Sequence, residues 1–151
     1  MRTYVTFRNV TTRRAKPRAE LPPPLRQGGA LANELLAQLR ASGYRTDPAA
    51  GRDELGWYFY FEVPSGKHCL VLRYRVFGDA SAPDWYAWLE RERGVALTLL
   101  GFRRRGISPL ATEAVHEALR ALPLYTDVQW HRRSGFRIGT ALNGTSNPAA
   151  P

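Results

Sequence analysis

The chain has 151 residues, 44% of them hydrophobic and 23% charged, with a formal net charge of +9. That length fits one domain with its own core, and the single cysteine, Cys69, excludes an internal disulfide framework and suits a reducing compartment. No stretch approaches the roughly 20 apolar residues of a membrane span, and the opening MRTYVTFRNV lacks a signal-peptide run, so a cytoplasmic location is expected.

Arg2–Val10 alternates Val5 and Phe7 against Tyr4, Thr6 and Arg8, which predicts a first strand. Residues 11–26 read as a basic, proline-rich loop containing Arg13, Arg14, Lys16 and Arg18. Proline removes backbone donors and favours extended, solvated chain. Leu31, Leu35, Leu36 and Leu39 recur at helical spacing, predicting an amphipathic helix over Ala30–Ser42 with Gly43 as a left-handed cap. Tyr44–Thr46 reads as a short strand, and Asp47–Gly56 as a loop.

Gly56–Phe77 carries the strongest pattern. Trp57, Phe59, Phe61 and Val63 alternate with Tyr58, Tyr60 and Glu62; after Pro64-Ser65-Gly66-Lys67, His68, Leu70, Leu72, Tyr74 and Val76 alternate with Cys69, Val71, Arg73 and Arg75. A hairpin tip at Ser65-Gly66 sets Val63 opposite His68, Phe61 opposite Leu70, Phe59 opposite Leu72 and Trp57 opposite Tyr74. The reverse face then pairs Tyr58 with Arg73 and Tyr60 with Val71. The two apolar faces coincide, and a one-residue slip would mix them. Because Pro64 cannot donate a ladder bond, a looser four-residue loop is expected at the tip.

Gly78–Pro83 reads as a turn. In Asp84–Glu92, Trp85, Ala87 and Leu89 alternate, although Trp85, Trp88 and Leu89 also share a helical face; the aromatic content favours a strand. Val95–Leu100 reads as a further strand, and Gly101–Gly106 as a basic loop holding Arg103, Arg104 and Arg105. Ser108-Pro109 opens a second helix with a serine cap and proline in the first turn. Its expected buried stripe is Leu110, Ala114, Val115, Ala118, Leu119 and Leu122; Glu113, His116, Glu117 and Arg120 form the opposite face, and Pro123 ends it. Leu124–His131 alternates as a last strand, with Leu124, Thr126, Val128 and Trp130 on one side. Residues 138–151 have the composition of a disordered tail beyond a single domain over 1–137. The expected fold is α+β: an antiparallel sheet of five to six strands with two helices packed on one face.

The charge is unevenly placed. Residues 1–20 hold six basic groups and one acidic, residues 21–100 nine of each, and residues 101–151 seven basic and three acidic, giving +5, 0 and +4. Arginine supplies 20 of the 22 basic residues, which also fits a GC-rich coding bias in a chain rich in Ala, Leu, Gly and Pro.

Chemistry-bearing motifs are sparse. His68 and Cys69 are strand neighbours and point to opposite faces, so they cannot form a nucleophile–base pair; Cys69 reads as a small buried hydrophobe. Glu113 and His116 have a metal-helix spacing, but the architecture that uses it needs two such motifs and this chain has one. No metal, cofactor or catalytic site is expected. The remaining candidates are Arg13, Arg14, Arg103, Arg104, Arg105, Arg132, Arg133 and Arg137, whose guanidinium forks suit carboxylates and phosphates alike, with Trp130, Phe136 or Tyr58 able to stack on bases.

The segments MRTYVTFR, GWYFYFEV and DVQWH together resemble a set of small uncharacterised bacterial proteins, with a "GW-aromatic-x-aromatic" strand, a later tryptophan strand and a terminal "V-x-W-H" strand. The resemblance spans roughly residues 1–137 and rests on aromatic core positions; it implies no activity. Such proteins are similar in build to immunity and accessory proteins, which act by occupying a partner. The expected function is therefore a non-catalytic cytoplasmic binder of an acidic protein through its arginine-rich ends, with a nucleic-acid binder as the alternative and an enzyme as a distant one.

Overall fold

In the computed structural model, which describes residues 2–10, 24–54, 56–74, 85–92, 106–134 and 144–149, seven strands form one sheet. The elements run β1 (Arg2–Asn9), α1 (Pro24–Ala41), β2 (Arg45–Thr46), β3 (Gly51–Asp53), β4 (Gly56–Val63), β5 (Gly66–Tyr74), β6 (Trp85–Arg91), α2 (Pro109–Arg120) and β7 (Tyr125–Arg132). Across the sheet the order is β2-β4-β5-β6-β1-β7, with β3 also on the outer side of β4. Every pairing is antiparallel. The architecture is α+β, as the periodicities indicate. The turn expected at Gly78–Pro83, the strand expected at Val95–Leu100 and most of residues 11–26 and 101–106 lie outside the described residues.

Period-two alternation puts one set of side chains on a common face. Val5 and Phe7 of β1, Phe59, Phe61 and Val63 of β4, Leu70 and Leu72 of β5, and Trp85, Ala87 and Leu89 of β6 are all buried there. They join one hydrophobic cluster with Leu31, Leu35, Leu36 and Leu39 of α1 and Ala111, Val115 and Leu119 of α2. Each large side chain removed from water contributes roughly 1.5–3 kcal/mol. At its C-terminus α1 closes as expected on Gly43, whose φ is 89°: Gly43 N–H donates to the Arg40 carbonyl and Tyr44 N–H to that of Leu39.

The hairpin register departs from expectation by two residues. Trp57 pairs with Leu72, Phe59 with Leu70, Phe61 with His68, and Val63 with Gly66, leaving Pro64-Ser65 as the tip. Pro64 holds φ near −65°, which excludes the mirror-image hairpin turns, and Gly66 takes the positive φ (126°) that closes the loop. A shift of two preserves side-chain parity, so Phe59 and Leu72 still share the buried face.

Three further expectations are corrected. Helix α1 begins at Pro24, inside the segment read as loop, since proline is tolerated in a first helical turn. The loop expected over Asp47–Gly56 contains β3, and Asp47 replaces a ladder partner by accepting Tyr60 N–H through its carboxylate (2.8 Å). In α2, Leu110 is 47% exposed while Ala111 and Thr112 are buried; Ser108 sits at the N-cap but makes no side-chain cap bond.

Strand β7 also breaks the expected alternation. Between Thr6↔Gln129 and Arg8↔Thr126, β1 advances two residues and β7 three, so β7 carries one extra residue. Asp127 takes φ 55° within this bulge. The insertion lets Tyr125 and Trp130, at positions of opposite parity, both enter the core, where Phe7 meets Tyr125 edge-on at 5.7 Å; Leu124 is left 45% exposed. Within the segment expected to be a disordered tail, Thr145 meets β7: Trp130 and Thr145 exchange both backbone hydrogen bonds (2.7 and 3.0 Å).

Candidate functional site

The face of the sheet opposite the core carries aromatic rings where a solvated sheet usually carries charge. Cross-strand pairing sets Tyr58, Val71, Trp88, Tyr4 and His131 in one row across β4, β5, β6, β1 and β7. At a strand spacing of about 4.8 Å the row extends roughly 19 Å. Beside it runs a second row, Arg73, Tyr86, Thr6 and Gln129. Tyr4, Tyr58, Tyr60, Tyr86 and Trp88 are half-buried. Tyr4 and Tyr86 both stack with Trp88 at 6.2 Å, inclined by 23° and 18°.

Cations frame these rings. The Arg73 guanidinium lies 4.7 Å from the centre of a Trp88 ring, and its Nε is buried with no hydrogen-bond partner among the described residues. Lys67 stands 4.5 Å over Tyr60 and pairs with Glu92 at 3.3 Å. Trp88 donates its indole N–H to Glu90 (2.7 Å), which fixes the ring's orientation.

At one margin of this face β1 pairs with β7. Arg2 and Arg132 are directly paired positions, and Arg132 and Arg133 are exposed, without ion-pair partners among the described residues. Arg8 meets Asp127 at 3.6 Å. Of the expected arginine sites, Arg132 and Arg133 are therefore placed at this edge, whereas Arg13, Arg14, Arg103, Arg104, Arg105 and Arg137 lie outside the described residues. Of the expected stacking residues, Tyr58 is on the aromatic face; Trp130 is fully buried in the core and unavailable, and Phe136 lies outside the described residues. The rings at Tyr4, Tyr60, Tyr86 and Trp88 escaped the sequence reading. Their signal was aromatic residues at positions whose alternation assigns them away from the core.

The histidines and the thiol serve structure. His68 Nδ1 lies 2.9 Å from the Gly66 carbonyl and so carries the proton, leaving Nε2 to accept Ser108 N–H (3.2 Å). His116, expected on a solvated face, is half-buried and accepts the Trp130 indole N–H at Nδ1 (3.1 Å). His131 Nε2 is 2.8 Å from the Thr6 hydroxyl. Burial lowers all three below the ordinary imidazole pKa; nearby Arg91 and Arg2 add to the lowering at His68 and His131 respectively. Burial, with Glu90 and Asp47 nearby, pushes the Cys69 thiol up to about 12. Among the described residues no three His, Cys, Asp or Glu side chains gather as a metal site would require. No described helix is long and apolar enough to cross a membrane.

Comparison with protein-family models, curated proteins and solved structures gives no match.

Proposed function

We propose that this chain is a non-catalytic binding protein that recognises an anionic macromolecule at the sheet edge formed by β1 and β7. The observation that carries this reading is the pairing of Arg2 with Arg132 and the exposure of Arg132 and Arg133, in a chain whose net positive charge comes from residues 1–20 and 101–151. Arginine forks engage carboxylate or phosphate oxygens in pairs, so the edge suits a dense polyanion.

Chromatography on an immobilised sulfated polysaccharide tests this directly. Arg132→Glu with Arg133→Glu is expected to elute at clearly lower salt than Arg45→Glu with Arg52→Glu, a control with the same change of net charge at the opposite edge. Equal displacement by the two pairs would mean that only diffuse net charge binds, and the edge would lose its role.

A further inference from the structure

We infer that the partner is a single-stranded nucleic acid, laid across the sheet with its bases on the ring row of Tyr58, Trp88 and Tyr4 and its phosphates toward the β1–β7 edge. This rests on the polyanion reading above and goes beyond it by naming the ligand class and the face.

The rings favour one of the partners that charge alone leaves equal: every nucleobase has a π-face to stack on an aromatic ring, and such stacking accepts any base. Antiparallel sheets that read single strands do so with two or three rings on adjacent strands, bases splayed over the sheet. Here Tyr4, Tyr86 and Trp88 stand on the neighbouring strands β1 and β6, and Tyr58 and Tyr60 on β4. Beside them the Arg73 guanidinium lies over Trp88 and adds positive charge to the ring row. Of the acids on this face, Glu90 accepts the Trp88 indole N–H and Glu62 pairs with Arg45. A duplex would keep its bases stacked inside and present only phosphates. A second copy of this chain would bring two charges of +9 together, so charge complementarity also favours the polyanion.

Fluorescence anisotropy with labelled oligothymidine, oligouridine, a mixed-sequence duplex and polyglutamate of matched length tests this. The single strands are expected to bind at least about tenfold tighter than the duplex or polyglutamate. Trp88→Leu and Tyr4→Leu are each expected to weaken single-strand binding roughly five- to hundredfold without changing its salt slope; Arg132→Glu with Arg133→Glu is expected to flatten the slope. Far-ultraviolet circular dichroism checks folding, and Tyr86→Leu replaces Trp88→Leu if that variant is unfolded. Duplex or polyglutamate bound as tightly as single strands, with the ring variants unchanged, would overturn the ring-row inference and leave the polyanion reading standing. No retention of any polyanion would sink both. A dimer that dissociates on Trp88→Leu would assign the face to a second copy and overturn the inference.

Discussion

Cys69 and Asp127 show how single residues are held by the sheet around them. Cys69 faces away from the core opposite Tyr60, yet it is buried, and its thiol is pushed up to about 12, far from a reactive thiolate. Alkylation with iodoacetamide at mildly alkaline pH is expected to be slow in the native protein and fast in urea; rapid native labelling would show that this part of the face is open to solvent. Asp127 holds φ at 55°, a region that short polar side chains tolerate and β-branched ones do not. Asp127→Val is expected to cost about 1–2 kcal/mol, read as a lower urea midpoint, while Asp127→Gly stays close to wild type. Loss of the ion pair with Arg8, exposed on its Asp127 side, contributes little to either result.

Helix α2 is tied down by neutral imidazoles. His68 accepts the amide of Ser108 at its N-terminus, and His116 accepts the Trp130 indole from β7. Neither donor can become an acceptor, so protonation of either bare nitrogen sets N–H against N–H. With folded pKa values below the ordinary 6.5, the unfolded chain binds more protons as pH falls, and the stability present above about 6.5 is lost on acidification. Melting temperature is expected to fall progressively from pH 7 to pH 5, and less steeply in His116→Gln. A flat or rising profile over that interval would contradict the assigned protonation states.

Elements whose evidence is local were legible in the sequence. The alternation of Trp57–Val63 and His68–Tyr74, the glycine stop at Gly43 and the Ser108-Pro109 start all reappear in the fold. What was missed depends on distant partners. A register shift of two leaves parity untouched, so no pattern of apolar residues can detect it. The three residues of β3 are too few to alternate, and the β7 bulge is defined only against β1, more than a hundred residues away. The candidate face was illegible for the same reason: Tyr4 and Trp88 become neighbours only when β1 lands beside β6. The arginine-rich ends were plain as composition, but the pairing of Arg2 with Arg132 required the topology.

At the scale of the molecule, the core and the proposed contact surface are the two sides of a single sheet. Buried residues of one side join a hydrophobic cluster that includes residues of both helices; the other side carries half-buried rings, and the first and last described strands pair at its margin. The four tryptophans report on this division. Trp85 and Trp130 are buried in the core, Trp57 packs against that cluster from β4 with its indole over Gly28 and Gly29 of α1, and Trp88 lies on the ring row. Their indole N–H resonances in a 15N–1H correlation spectrum, followed during titration with oligothymidine, test the central claim most directly. The Trp88 signal is expected to move progressively while those of Trp85 and Trp130 stay in place. Saturable binding that leaves Trp88 unmoved, or that shifts Trp57 instead, would contradict a ligand on this face.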